Sequence, residues 1–254
     1  YRRPIARLMC VGELIHLGSL LHDDVVDDGL QRRGKPASHR VYGTAVTVLT
    51  GDFCLARAVQ LAAEEGGFEA VRAFSIAITE MAEGEVLQLQ RAGDLSCDYQ
   101  TYLDVISRKS AALIAWCAAA SAWAAGDIER ADALTTYGRG VGRAFQITDD
   151  VLDYSPATGK THGADLRERK VTLPLLIAMD RIDGLRDELV LRPPSDAELP
   201  TLMARISASG ALDEALSQAR SYVTEGVSAL DVIPAGEGRD ALATLGRYLV
   251  ERVS

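Results

Sequence analysis

The chain has 254 residues, 48% hydrophobic and 25% charged, the composition of an ordinary globular protein long enough for a sizeable core. Its formal net charge of -9 argues against nucleic acid as a partner, so any bound phosphate must be met by locally clustered cations or by metal. Cys10, Cys54, Cys97 and Cys117 form no CxxC pair and sit in apolar helical context, so reduced core thiols in a cytoplasmic protein are expected, not structural zinc.

The opening Tyr1-Arg2-Arg3-Pro4 lacks both an initiator methionine and a cleavage pattern, so the chain is expected to begin inside a longer natural one. Between Pro36 and Pro156 there is no proline, and apolar residues recur at three and four, as in Val71, Phe74, Ile78 and Met81. This spacing predicts helices at about 5–28, 44–65, 68–91, 98–107, 109–125, 128–153, 171–191, 196–207, 210–231 and 236–252. The expected fold is all-α, one bundle domain over residues 1–254 with about ten or more helices joined by short connections such as Gly66-Gly67 and Gly126-Asp127. The most apolar run, Ala111 to Ala125, is about 15 residues, short of the roughly 20 that span a bilayer, so no transmembrane segment is expected.

The first chemical signal is Leu20 to Gly34, LLHDDVVDDGLQRRG. Asp23 and Asp27 stand four apart, as do Asp24 and Asp28, so on a helix each pair shares a face and repels by about 0.2–0.5 kcal/mol. A solvated acidic helix end is the usual explanation for such a run. The flanking Leu14, Ile15, Leu17, Leu20, Leu21, Val25 and Val26 argue against it, because a helix apolar on most sides belongs inside a protein.

The pattern returns at Gln146 to Asp153, QITDDVLD, again inside an apolar helix. Each acidic run is followed by a glycine-containing basic loop, with Arg32, Arg33 and Lys35 after the first and Lys160, Arg167, Arg169 and Lys170 after the second. Magnesium takes oxygen ligands and is typically held by one or two carboxylates plus substrate phosphates, while Lys and Arg grip the remaining phosphate oxygens. Calcium is the runner-up ion, but no DxDxDG loop is present. His16 alone on an apolar helix reads as a satisfied core histidine, and His22 as structural, bonded to a backbone carbonyl. Trp116 and Trp123 read as core residues by default.

These residues, in this order, resemble the polyprenyl (isoprenyl) diphosphate synthases of the trans type. The resemblance runs from about Leu14 to Pro174, with a looser match to the C-terminus. It rests on two DDxxD motifs, Asp23 to Asp27 and Asp149 to Asp153. It rests also on Ile15-His16, RRGKP at Arg32 to Pro36, Gly51-Asp52, Gly84-Glu85, Arg108-Lys109-Ser110, GxxFQ at Gly142 to Gln146, Gly159-Lys160 and KVTLP from Lys170.

The resemblance implies an isoprenoid-synthase helical bundle around a central cavity, a homodimer, and condensation of an allylic diphosphate with isopentenyl diphosphate. It implies three magnesium ions, two on Asp23 and Asp27 and one on Asp149, with Asp24, Asp150 and Asp153 supporting through water or hydrogen bonds. Arg32, Lys109 and Lys160 would bind the allylic diphosphate with Lys170 close by, Arg33 and His16 the isopentenyl diphosphate, and Ser110 and Gln146 would line the reacting carbons. The family's opening GGKxxRP segment is not visible, and Arg3 receives no role. Ser110 stands where Thr is common, and Arg169 where Gly is common.

In the family the residues just before the first DDxxD line the product tunnel, and a bulky aromatic there caps it short. Here they are Gly18 and Ser19, which implies a product of twenty carbons or more, with Trp116, Trp123, Phe53 or Phe74 as candidates for a deeper floor. Two rivals share features with this reading. A class I terpene cyclase would carry an NSE-like second motif in place of the second DDxxD, and a non-catalytic subunit of a heteromeric synthase would tend to lose the aspartates.

Overall fold

In the computed structural model, which describes residues 3–154 and 163–251, helix α1 (Arg3–Val26) lies along α3 (Thr44–Glu65). By length and composition each is apolar enough to cross a membrane; they pack on each other, and each keeps exposed apolar residues, such as Met9 and Leu17 on α1 and Leu49 and Phe53 on α3. Small residues set the distance between them. A Cβ on Gly18 would stand 3.1 Å from the Gly51 carbonyl oxygen, and one on Gly51 would run into the His22 ring. His22 Nε2 in turn bonds the Val48 carbonyl at 3.1 Å, as expected of a structural histidine, with Asp52 at 3.3 Å.

Between these helices the chain makes a hairpin rung, β1 (Gln31–Arg32) and β2 (Lys35–Pro36), followed by α2 (Ser38–Tyr42). Arg33 and Gly34 form its turn with φ of 52° and 74°. Two central residues with positive φ match the right-handed twist of a tight hairpin. The rung and α2 are too short to produce a periodic signal, and the sequence reading leaves the segment as a loop.

The residues group into two compact units, 1–76 with 119–131, and 77–118 with 132–254. In the second unit, α5 (Tyr99–Ile106) starts at Asp98, whose carboxylate accepts the Thr101 N–H at 2.8 Å. It continues through a π-helical turn, Ser107–Ala111, into α6 (Ala112–Ala124). The two helices expected here are therefore one continuous helical run. Helices α4 (Gly67–Gln90) and α7 (Ile128–Leu152) supply the glycines that let this run be approached closely.

The remainder comprises α8 (Ala164–Arg167), α9 (Leu173–Arg181), α10 (Leu185–Leu191), α11 (Leu199–Ala208), α12 (Ala211–Ser228), a 3-10 turn and α13 (Glu237–Glu251). α12 packs on α9, α11 and α13, around a core that includes Ile147, Leu166, Leu173, Leu185, Ile206 and Val250. The helix expected over 171–191 is divided at Ile182 to Gly184, where Gly184 takes φ of 75° and its neighbours cannot continue the spiral. Of the four cysteines, Cys54 and Cys97 are buried, whereas Cys10 and Cys117 are exposed, because a helix apolar on most sides still turns one face to solvent.

Gly142 shows close backbone approach through a missing side chain, since a Cβ there would fall 2.5 Å from Ala111 Cα. Gly142→Ala is expected to cost about 1–3 kcal/mol through overpacking, read as a lower urea midpoint at unchanged slope. A wild-type midpoint would show that the two helices have room to part.

Candidate active site

The end of α1 sorts its carboxylates by face. The Asp27 N–H bonds the Asp23 carbonyl at 2.8 Å, so helical geometry persists and the two side chains sit one turn apart on one side. Asp24 faces inward and is 5% exposed. Its Oδ1 accepts Arg32 Nε at 2.7 Å, which satisfies a carboxylate that would otherwise be buried without a donor. Asp28, left without a role by the sequence reading, takes φ of 49°. Arg40 donates to its carboxylate at 2.6 Å and to its carbonyl at 2.9 Å, fastening α2 to the end of α1. The expected Asp24–Asp28 repulsion is thus relieved by one arginine on each carboxylate. Arg33 and His16 are exposed.

In the second motif, at the end of α7, the second aspartate is again the buried one. Asp149 is exposed and Asp150 is 3% exposed. Asp150 accepts the Tyr102 hydroxyl at 2.8 Å and Gln146 Nε2 at 2.9 Å, and Gln146 Oε1 accepts the Ser110 hydroxyl at 2.6 Å. Burial pushes the Asp150 carboxyl up to about 6, while Lys170 pulls it down. Asp153 accepts the N–H groups of Ala164 at 3.3 Å and Asp165 at 3.0 Å, and burial raises its carboxyl too. Asp165 also accepts Lys170 Nζ at 3.1 Å. Burial pulls Lys170 down, but Asp165 and Asp150 together outweigh it and hold the ammonium above its ordinary range.

Lys109 lies in the π-helical turn and pairs with Glu85 of α4, and the neighbouring Arg108 pairs with Glu83. Gly84 lies between those two glutamates because a Cβ there would stand 2.6 Å from the Lys109 backbone nitrogen. Lys160 falls outside the described residues. Arg167 donates to Asp196 at 2.9 Å, and Arg169 stands in the left-handed conformation at φ of 53°, which explains why glycine suits that position. Sequence reasoning assigns no role to Tyr102, Glu85 or Asp165, although the structure joins each to an expected site residue. The Gly84-Glu85 dipeptide offers a usable signal for Glu85; a lone tyrosine in an amphipathic helix offers none.

Gly18, expected to keep a tunnel open, is small because it packs on Gly51 of α3. The steric argument for product length therefore passes to Ser19, which is half-buried and donates to the His16 carbonyl at 3.0 Å. Among the deeper candidates Trp116 and Phe74 are buried, whereas Phe53 is 67% exposed and lines no interior of the chain.

The donor chemistry at both helix ends fits a hard divalent cation. Asp23 and Asp27 offer only carboxylate oxygens on one turn, Asp149 offers another, and neither motif contains a thiol or imidazole. The buried aspartate of each motif, Asp24 and Asp150, is committed to protein donors.

Comparison with known proteins agrees with this chemistry. The Polyprenyl synthetase family model matches residues 2–198. An all-trans-nonaprenyl-diphosphate synthase (geranyl-diphosphate specific) of Rhodobacter capsulatus is 35% identical, over 97% of this chain and 78% of its own length. An octaprenyl diphosphate synthase of Escherichia coli is 36% identical, over 94% of this chain and 77% of its own. Among solved structures, a polyprenyl synthase from Caulobacter crescentus CB15, crystallised with calcium and isoprenyl diphosphate, superposes with a TM-score of 0.91. It is 41% identical, over 98% of this chain and 78% of that one.

The Asp24–Arg32 pair makes the two adjacent arginines separable by stability. Arg32→Met is expected to destabilise the fold by about 1–3 kcal/mol, because it strands a buried acceptor, whereas Arg33→Met should leave unfolding within about 0.5 kcal/mol of wild type. Equal losses in denaturant titrations would contradict the sorting of these side chains.

Proposed function

The chain belongs to the polyprenyl synthetase family and is a prenyltransferase of the polyprenyl diphosphate synthase type, and on that premise we propose how its residues divide the work. Asp23 and Asp27 hold two magnesium ions and Asp149 a third, against the diphosphate of an allylic substrate. Asp24, Asp150 and Asp153 support them through hydrogen bonds. The observation that carries this reading is that the second aspartate of each motif, Asp24 and Asp150, is buried on protein donors, while Asp27 and Asp149 are exposed.

Bound magnesium would supply Lewis-acid stabilisation of the departing diphosphate. Arg32, Lys109, Lys160 and Lys170 add fixed positive charge around that leaving group, and Glu85 and Asp165 keep Lys109 and Lys170 placed until substrate competes for them. Arg33 and His16 hold the diphosphate of isopentenyl diphosphate from the exposed side of the site. Ser110 and Gln146 line the reacting carbons. The allylic C–O bond breaks, the isopentenyl double bond attacks the allylic carbon, and the released diphosphate takes the final proton, so no protein nucleophile is required. The product has twenty carbons or more.

The protein acts as a cytoplasmic homodimer. Support for a second copy comes from α3, whose Val46, Leu49 and Phe53 form an exposed apolar stripe at helical spacing.

Incubation with labelled isopentenyl diphosphate, an allylic diphosphate and magnesium should give elongated prenyl diphosphates, and chelation by EDTA should stop the reaction. Cyclic hydrocarbons would support a cyclase instead. Asp27→Ala should lower kcat/KM by at least about 100-fold, the scale of a lost metal-held charge. Ser19→Phe should shorten the product distribution seen by chromatography; an unchanged distribution would remove Ser19 from the tunnel.

A further inference from the structure

We propose that Tyr102 is a positioning residue for prenyl transfer, acting through Asp150 and Gln146 on Ser110; this rests on the reading of the second acidic motif above. The four side chains form a chain of bonds that the backbone between Tyr102 and Ser110 closes into a ring. Tyr102 and Ser110 lie on the continuous run from α5 into the π-helical turn, and Gln146 and Asp150 lie one turn apart on α7. Three hydrogen bonds tie the two stretches together, at 2.8 Å from Tyr102 to Asp150, 2.9 Å from Gln146 to Asp150 and 2.6 Å from Ser110 to Gln146.

The donor count fixes the direction of every bond. An ionised carboxylate only accepts, so the Gln146 amide must turn its NH2 toward Asp150 and its oxygen toward Ser110. The flipped amide would set oxygen against oxygen in a buried place. Ser110 is thereby forced to donate inward, which leaves its oxygen lone pairs to face outward. Tyr102 donates to the other carboxylate oxygen, so each oxygen of Asp150 has a protein donor.

The π-helical turn gives this ring a purpose. Such turns carry poorer hydrogen bonding than an α-helix and persist where the surroundings hold them. Here Arg143 Nε donates to the Ser107 hydroxyl at 2.8 Å from one side, and the Tyr102 ring clamps the other. Between the clamps lie Lys109 and Ser110. Tyr102 is 4% exposed and has no other chemistry to perform.

Tyr102→Phe, Asp150→Asn and Asp150→Ala in the full chain test the ring. Tyr102→Phe should lower kcat about 10-fold, the worth of one buried hydrogen bond to a charged group, with both KM values and the magnesium half-saturation within about twofold of wild type. Asp150→Asn still accepts from Gln146 and can donate to Tyr102, so it should retain at least about 10-fold more activity than Asp150→Ala. Should Tyr102→Phe not fold, Asp150→Asn carries the same readouts. A silent Tyr102→Phe, or an Asp150→Asn that raises the magnesium half-saturation as much as Asp150→Ala, would overturn the proposal. Amide hydrogen exchange reads the ring without turnover: residues 107–111 should exchange at least about 10-fold faster in Tyr102→Phe, and unchanged exchange would overturn it too. A wild-type chain that elongates nothing would instead defeat the functional reading, and the exchange result would still judge the ring.

Discussion

A carboxylate removed from water must find donors, and that requirement shapes both ends of this protein's chemistry. An unpaired buried charge costs several kcal/mol, so Asp24 and Asp150 dictate what surrounds them. Asp24 draws Arg32 back across the start of the hairpin. Asp150 draws in a tyrosine from α5 and a glutamine from the preceding turn of its own helix. Each inward aspartate thereby locks its helix end.

Close backbone approach is the second constraint. Gly51, Gly84 and Gly142 sit where a side chain would collide with His22, with the Lys109 backbone and with Ala111. Two of the three press on the π-helical turn, whose wide register presents Lys109 and Ser110. Glu80 supports the same region by accepting Arg139 Nη2, at 2.7 Å and 2.9 Å to its two carboxylate oxygens, while Arg139 Nη1 donates to the Ser107 carbonyl at 3.4 Å. Catalytic placement here depends on absent methyl groups as much as on the charged residues themselves.

The helical period carried most of the fold, because α1, α3, α4, α7 and α12 are long enough for several turns of apolar repeat. It could not show the hairpin at Gln31–Pro36, too short for any period, nor the π-helical turn, which shifts register without breaking the apolar pattern. At the site, residue type and order pointed to the aspartates and basic loops. The resemblance divided ligand from supporting aspartates, but helical spacing alone did not show which is buried, since adjacent residues on a helix differ only by rotation and the deciding donors, Arg32 in the following loop and Tyr102 on α5, lie off the helix. Gly18 shows the converse limit: a small residue looks the same whether it opens a cavity or admits a neighbouring helix.

The sharpest discrimination lies between neighbours on α1. Calorimetric titration of magnesium with inorganic diphosphate into Asp23→Asn and Asp24→Asn compares an outward with an inward carboxylate directly. Asp23→Asn should lose at least about 10-fold in affinity, whereas Asp24→Asn should bind within a few-fold of wild type but unfold at lower denaturant. An Asp24→Asn protein of undiminished stability that fails to bind magnesium diphosphate would contradict the division of labour between the two.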